Sequence, residues 1–320
     1  MGVFRGTGVL TQKFPWIGKI LNNEQNVANG NALTGEGLQT LPSFFVIGPP
    51  RTGSTWLHEI LAPHAVLPSP TKETRFFDLR FHLGFDWYRA HYPAAKDGLP
   101  VGEVAPTYFA SSAAREHIAR SLPNAKVVCV FRNPVERVLS LYRLKRAYGL
   151  IPWNFEQAFF RDPELMESSR YATNLKAWHH ALGSDQVMAT IYDDLRDRPQ
   201  AYLDSIVDFI GVPRFSLPES QTYVNSSEAL TVPRNYYRTR GASMMAEWCK
   251  EQRLDAVVSA VKKTSLMRLF LGGGAPFAEM SKDIVQKLYG IFRPEVEELS
   301  QMLNRDLSSW NSHAAEAAVR

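Results

Sequence analysis

The chain has 320 residues, 45% of them apolar and 21% charged, with a net charge of +4 at pH 7, and this composition excludes a disordered segment or a small disulfide-stapled scaffold. Its two cysteines lie far apart, which argues against a secreted protein. The absence of a dense Lys/Arg stripe argues against a nucleic-acid-binding protein, and the absence of an apolar run of roughly 18 residues argues against a membrane-spanning one. Because the N-terminus also lacks the apolar core of a signal peptide, we expect a cytoplasmic protein with a sizeable core and no nucleic-acid partner.

The predicted elements alternate between strands and helices along the chain. Residues 1–40 are rich in Gly and Asn without sustained periodicity, so we predict an irregular N-terminal arm, followed by a single domain over residues 41–320. Short apolar runs predict buried strands, and helical spacing of apolar residues follows them. The predicted strands cover residues 44–47, 101–104, 126–131 and 187–192, and the predicted helices cover 52–61, 111–120, a segment from Pro134, 199–210 and 281–303. This alternation predicts an α/β fold, a P-loop-like parallel β-sheet flanked by helices on both faces.

Two later segments are predicted to be helical and amphipathic. In the segment at 281–303, the residues spaced to pack on the sheet are Ile284, Leu288, Ile291, Val296 and Leu299. From Met244 to Phe270, basic residues accompany Leu, Val and Met, so residues 241–275 could form a helical lid or an insertion. The alternatives are a membrane-surface element that makes a peripheral membrane contact, a dimer contact and a plain packing helix. The sequence does not specify the oligomeric state.

A phosphate-binding loop is indicated between the first strand and the first helix, where residues 48–55 read GPPRTGST. Backbone N–H groups in such a loop and at a helix N-terminus hold phosphate, and Gly48 and Gly53 permit a close approach of the anion. The nucleotide-triphosphatase loop G-x-x-x-x-G-K-[ST] shares both glycines and the hydroxyl of Thr55, but Ser54 replaces its lysine. The cation of this loop is Arg51 instead, which argues against a kinase. A plain strand-to-helix turn is the structural alternative.

A second motif follows the strand at 126–131, where residues 128–142 read VCVFRNPVERVLSLY. A strand-end guanidinium at Arg132 and a helix hydroxyl at Ser140 can converge on one phosphate, although a salt-bridged surface helix is the alternative. Together the two motifs resemble the family of sulfotransferases that depend on 3′-phosphoadenosine 5′-phosphosulfate (PAPS). The resemblance implies that the loop binds the 5′-phosphosulfate and that Arg132 and Ser140 hold the 3′-phosphate. The donor-binding residues implied in this way are Pro50, Arg51, Thr52, Gly53, Ser54, Thr55, Trp56, Arg132 and Ser140, with Arg238, Arg240 and Gly241 as candidates for the family's late glycine-basic loop.

Within that family, residues 72–78 (KETRFFD) are most similar to the Golgi-type carbohydrate and heparan sulfotransferases and their bacterial relatives. In that branch a glutamate before Phe-Phe-Asp is the catalytic base, so the resemblance assigns this role to Glu73, with Arg51 stabilising charge on the donor. A carboxylate whose pKa is raised by desolvation suits removal of a proton from an acceptor hydroxyl. The implied reaction is in-line transfer from PAPS to a hydroxyl-bearing acceptor, a carbohydrate or a lipid-linked one, without a metal ion. A solvated loop charge is the alternative interpretation of Glu73, with His58 or His82 as the base.

The sequence departs from the carbohydrate branch at one position that matters for charge. The lysine that follows a glutamate in that branch is replaced by Val104 in the stretch GEVAPTY (102–108), so a cation is absent or comes from elsewhere. Trp87, Tyr88 and Tyr108 could line the acceptor cleft, although aromatic residues at such spacing are more often core. Two other functions remain open: a P-loop kinase or NTPase, and a non-catalytic nucleotide-binding protein on the same fold, which would not need Glu73.

Overall fold

The structure is a computed structural model that describes residues 41–93, 98–218, 230–252, 254 and 273–311. The predicted arm at 1–40 and most of the predicted helical stretch after residue 254 lie outside the described residues. The strands are β1 (Phe44–Val46), β2 (Gly102–Val104), β3 (Lys126–Phe131), β4 (Val187–Ile191), β5 (Thr231–Pro233) and β6 (Gly273–Pro276). The helices are α1 (Ser54–Leu61), α2 (Gly84–Arg89), α3 (Ser112–Ser121), α4 (Pro134–Ala147), α5 (Phe155–Arg161), α6 (Pro163–Glu167), α7 (Tyr171–Leu182), α8 (Tyr192–Asp197), α9 (Pro199–Ile210), α10 (Tyr236–Glu251) and α11 (Lys282–Leu303), with a π-helical turn at Phe76–Arg80.

The central sheet is parallel, with the strand order β2-β1-β3-β4. Val46 of β1 is in register with Val104 of β2 on one side and with Val128 of β3 on the other. Because parallel strands are buried on both faces, they read as continuous apolar runs, and this is why the four strands could be predicted from the sequence. Their carboxyl ends meet at one edge of the sheet, where the segments that carry the predicted site begin.

Helices cover both faces of this sheet, which confirms the predicted fold class. Phe45 and Cys129 point into one buried cluster with residues of α3, α7 and the π-helical turn. Phe44 and Val128 point the other way, into a cluster with residues of α1, α8 and α9. Alternate residues of a strand face opposite sides, so each strand contributes to both cores. A sheet held on two faces is a rigid base for the loops at its carboxyl edge.

Helix α11 spans the predicted tail segment, and Ser281 caps it by accepting a hydrogen bond from the backbone of Ile284. It packs against α7 and α4. Val296 and Leu299 join the cluster on one face of the sheet, while Leu288 joins a third cluster with α4. Ile291 is 44% exposed, so its predicted packing was wrong. The helix meets two helices rather than a flat surface, and the buried stripe on it is therefore narrower than the sequence pattern suggested.

Helix α10 begins at Tyr236, eight residues before the helical stretch that the sequence predicted. Asn235 caps it by accepting a hydrogen bond from the backbone N–H of Arg238. The candidate glycine-basic loop at 238–241 therefore lies inside a helix, which corrects the sequence-based prediction of a loop there. The large apolar side chains exposed on α10 are Tyr237, Met244, Met245 and Trp248. No helix among the described residues is long and apolar enough to cross a membrane.

Candidate active site

The predicted phosphate loop connects β1 to α1 in a tight turn. Arg51 and Gly53 both have left-handed backbone conformations, with φ of 78° and 92°. The buried Thr52 hydroxyl donates a hydrogen bond of 2.8 Å to the carbonyl of Pro49, which closes the turn. A Cβ at Gly48 would lie 2.5 Å from the backbone nitrogen of Val130, so the neighbouring strand β3 requires a glycine there. The turn leads directly into the N-terminus of α1, the geometry that suits an anion.

Arg51 connects the loop to the second predicted motif. Its Nε donates a hydrogen bond of 2.9 Å to Oγ of Ser140, which lies in α4, 89 residues further along the chain. Burial and the nearby Arg132 guanidinium lower the pKa of Arg51. Two guanidinium groups that repel each other favour an anion between them, because a phosphate would neutralise both. The structure therefore brings Arg51, Arg132 and Ser140 to one place, although the sequence had placed Arg51 with the loop alone.

Arg132 directly follows β3 as predicted, but its contacts differ from those that the motif suggested. Its Nη2 lies 2.7 Å from Oε2 of Glu136 in the first turn of α4, and its guanidinium lies 5.1 Å from the ring centroid of Tyr192. A Cβ at Gly53 would lie 3.0 Å from the same tyrosine ring. Tyr192 thus lies beside both motifs, although neither motif contains it. Its position directly after β4, at the shared edge of the sheet, was the signal that could have identified it.

Glu73 lies in the segment before the π-helical turn, and its side chain is 28% exposed. Burial raises the pKa of Glu73, while the charges of Lys72 and Arg75 partly offset the increase. Lys72 Nζ lies 3.7 Å from Oε1 of Glu73 and 3.3 Å from the hydroxyl oxygens of both Ser54 and Thr55. The predicted base is therefore adjacent to the phosphate loop, and it has the raised pKa that a proton acceptor needs.

A buried carboxylate that we had not selected holds this segment in place. Glu103 in β2 is fully buried and accepts hydrogen bonds from the backbone N–H of Thr74 (2.8 Å), from its hydroxyl (2.7 Å) and from the Tyr88 hydroxyl (2.7 Å). Tyr108 lies 3.3 Å from the same carboxylate. Tyr88 and Tyr108 are fully buried, so their suggested role in lining an acceptor cleft was wrong. Glu103 fixes the residue that follows Glu73, and burial raises the pKa of Glu103 to about 7.

We expect the stability of the fold to decrease as the pH rises from about 5 to about 8, in part because of Glu103. The folded chain holds this proton up to a pH of about 7, whereas an unfolded glutamate releases it near 4.3, and the difference contributes at most about 4 kcal/mol. Glu103→Gln cannot titrate and should therefore show a smaller decrease over this range. Melting temperatures of the two proteins from pH 5 to pH 8 test this; parallel curves would contradict it.

Helix α10 borders the site at two points. Arg80, in the π-helical turn after Glu73, forms an ion pair of 2.9 Å with Glu247 of α10. Ser243 of α10 donates a hydrogen bond of 2.6 Å to the carbonyl of Tyr148, at the end of α4. Lys250, on the same helix, lowers the pKa of Glu73. Helix α10 thus connects the segment that carries the base with the helix that carries Ser140.

Other predicted residues lie elsewhere. The ring of Trp56 is buried in the core cluster below the loop, with its centroid 6.5 Å from that of Tyr202, and its part in donor binding stays a prediction. Val104 is buried in β2 and brings no charge to the site. Burial and the charge of Lys72 lower the pKa of His58 to about 4, and His82 is exposed. Neither histidine therefore has the environment that Glu73 has. Within the described ranges, no three metal-ligating side chains are grouped together.

Comparisons with known proteins agree with this geometry. A family model described as "Sulfotransferase domain" matches residues 41–249. The bifunctional heparan sulfate N-deacetylase/N-sulfotransferase 2 of Bos taurus is 31% identical over 198 residues, which are 55% of this chain and 22% of that protein. The corresponding enzyme 4 of Mus musculus is 26% identical over 294 residues, covering 84% of this chain and 31% of that protein. The chain thus spans less than a third of the length of either relative. The solved sulfotransferase from Alicyclobacillus acidocaldarius has a TM-score of 0.60 and 18% identity, with 85% of this chain and 99% of that one covered, and it shares the fold.

Proposed function

The chain belongs to the sulfotransferase domain family, and from that premise we propose that it transfers the sulfuryl group of PAPS to a carbohydrate acceptor, with Glu73 as the general base. The observation that carries the proposal is the hydrogen bond between Arg51 and Ser140, which joins the two motifs that resemble the family's 5′- and 3′-phosphate sites. A kinase binds all its phosphates in one loop and needs no such connection. A site for a donor with phosphates at both the 5′ and the 3′ position of one ribose needs two phosphate-binding motifs close together.

The proposed step is an in-line displacement at sulfur. The acceptor hydroxyl loses its proton to the Glu73 carboxylate while its oxygen forms the new S–O bond. The S–O bond to the 5′-phosphate breaks, and its electron pair leaves with 3′-phosphoadenosine 5′-phosphate (PAP). The backbone of Thr52 and the backbone and hydroxyl groups of Ser54 and Thr55 would hold the 5′-phosphate, because the Thr52 hydroxyl is already bonded to the Pro49 carbonyl. The raised pKa of Glu73 makes it a better proton acceptor.

The acceptor class is supported by the names of the relatives. Residues 72–78 resemble the carbohydrate branch, and the relatives are heparan sulfate enzymes. We propose a hydroxyl as the nucleophile; because those relatives are named N-sulfotransferases, an amine is the second candidate. Labelled PAPS should be offered with oligosaccharides that differ only in carrying a free amine, an acetylated amine or a blocked hydroxyl. Label in the acetylated sugar supports the hydroxyl, and label only in the free amine supports the amine.

The cytoplasmic location and the absence of a metal ion remain predictions.

The kinase alternative predicts a different ligand. The lysine position of the NTPase loop is Ser54, so the contact to the outer phosphates of ATP is missing at that position. We expect PAP to bind more tightly than ATP, with little change when Mg²⁺ is added or chelated. Calorimetry with both nucleotides, with and without Mg²⁺, separates the two functions. Tight binding of ATP that requires Mg²⁺ would favour the kinase.

We expect Arg132→Ala and Ser140→Ala to weaken binding of PAPS by about 10–100-fold and to change the affinity for adenosine 5′-phosphosulfate much less. The second molecule lacks the 3′-phosphate that these residues are proposed to hold. Ser140→Ala also removes the acceptor of the Arg51 hydrogen bond. We therefore expect a small loss of affinity for both ligands in addition to the larger loss of affinity for PAPS. Equal losses for the two ligands in calorimetry would mean that the motif only supports the fold.

A further inference from the structure

Lys72 reaches over the phosphate loop from a segment outside it. Its ammonium nitrogen lies 3.3 Å from the hydroxyl oxygens of Ser54 and Thr55, and 3.7 Å from the carboxylate of Glu73. These contacts connect the donor side of the site with the proposed base. We propose that Lys72 is a catalytic residue that binds an oxygen of the phosphosulfate group during transfer, an assignment that rests on the proposed function.

Lys72 provides a cation at the place in the loop where an NTPase has its lysine. In an NTPase loop the lysine occupies the place of Ser54. Here the ammonium comes from 18 residues further along the chain and hydrogen-bonds to the hydroxyl of that same Ser54. Arg51 has its Nε directed to Ser140, toward the second motif. Lys72 therefore provides positive charge on the side of the loop that faces Glu73, where sulfur would be attacked.

The ammonium can bind a new anion without losing a short ion pair. A charge-assisted N–H···O bond is about 2.7–2.9 Å long, and the Lys72–Glu73 separation of 3.7 Å is longer than that. An ammonium has three N–H donors. An oxygen held by the hydroxyls of Ser54 and Thr55 would lie within reach of Nζ, because Nζ already lies 3.3 Å from both. The interaction strengthens as negative charge develops on the departing phosphate.

Lys72 keeps its proton throughout the step. The acceptor proton goes to Glu73, the electron pair of the breaking S–O bond goes to PAP, and Lys72 stabilises that charge by hydrogen bonding alone. This role differs from keeping Glu73 ionised, which the positive charge of Lys72 also favours. The two roles predict different pH dependence, and an experiment can separate them.

The test compares Lys72→Gln with Lys72→Arg and with Lys250→Gln. Lys250 is a matched control, because it also lowers the pKa of Glu73 but forms its ion pair with Glu247, 2.7 Å away on α10. Transfer of labelled sulfate from PAPS to water and to heparan-type oligosaccharides gives kcat and KM without a known acceptor. Calorimetry with PAP and the melting temperature report binding and folding.

We expect Lys72→Gln to lower kcat by about 10²–10³-fold, with PAP affinity within about 10-fold of the wild type. Lys72→Arg should retain part of the kcat that Lys72→Gln loses, because arginine keeps the positive charge. Lys250→Gln should keep kcat within about 3-fold and shift only the acid limb of the pH profile. The loss in Lys72→Gln should persist at high pH, where Glu73 is ionised in every variant.

Two results would overturn the assignment. A folded Lys72→Gln protein with kcat within about 3-fold of the wild type would remove Lys72 from the chemistry. If kcat of Lys72→Gln recovered fully at high pH, the role of Lys72 would be limited to lowering the pKa of Glu73, as for Lys250. Wild-type protein that consumes no PAPS at all would overturn the proposed function and this role together, which distinguishes that failure from the other two.

Discussion

Glu73→Gln is expected to reduce sulfuryl transfer by about 10²–10⁴-fold, the usual range for loss of a general base. Glutamine keeps the size of the side chain but cannot accept the proton of the acceptor. The hydroxyls proposed to hold the donor, those of Ser54 and Thr55, lie on α1, and Lys72 lies between them and Glu73. Affinity for PAP should therefore stay within about 3-fold of the wild type.

Kinetics with labelled PAPS and calorimetry with PAP measure the two effects separately. Glu59→Gln is the matched control: this glutamate is exposed on α1 and also acts on the charge of Lys72, but it is not placed to take the acceptor proton. The control should turn over at close to the wild-type rate. If Glu73→Gln did so too, the base would lie elsewhere, and the resemblance to the carbohydrate branch would lose its main support.

Arg51→Ala is expected to weaken binding of PAP by about 10–150-fold and to lower turnover with it, since a charge-assisted hydrogen bond contributes about 1.5–3 kcal/mol. Arg51 touches the loop and Ser140 at once, so its loss affects the 5′ and the 3′ side of the donor together. Adenosine 5′-phosphosulfate should also lose affinity, although less than PAP because it lacks the 3′-phosphate; in Arg132→Ala its affinity should change little.

Arg120→Ala serves as the control for this variant, because Arg120 is an exposed arginine of α3 that pairs with Glu116 on the same helix. Calorimetry at matched ionic strength separates a specific contact from a general change in charge. Wild-type affinity of Arg51→Ala for PAP, together with normal turnover, would show that the loop does not bind the donor phosphate.

Much of the architecture could be predicted because parallel strands and their loops leave local signals. The strands β1 and β3 are short apolar runs, and the glycines at 48 and 53 follow from a close strand and a left-handed turn. The start of α4 could also be predicted, because Pro134 occupies its first turn. Asn133 caps this turn by accepting hydrogen bonds from the backbone. For Gly53 and Asn133 the determining interaction lies within a few residues of the signal, whereas Gly48 is required by Val130 of the neighbouring strand.

The remaining features depend on contacts between distant residues. The partners Arg51 and Ser140 are 89 residues apart, and no local pattern specifies that the two side chains meet. Lys72 looked like a neighbour of Glu73 in sequence, and only the fold brings it to Ser54. Helix α10 began early because of the cap at Asn235, within a basic stretch that has no apolar periodicity. Tertiary packing decided the first two features, and a local cap decided the third.

The proposed transfer of a sulfuryl group from PAPS can be measured on the wild-type protein. The most direct measurement is to incubate the wild-type protein with PAPS labelled on sulfur and with a heparan-type oligosaccharide, and to quantify labelled sugar and PAP together. We expect label in the oligosaccharide, one PAP released for each sulfuryl group transferred beyond the slow transfer to water, and no requirement for ATP. Unchanged PAPS after prolonged incubation, alongside transfer of phosphate from ATP, would contradict it.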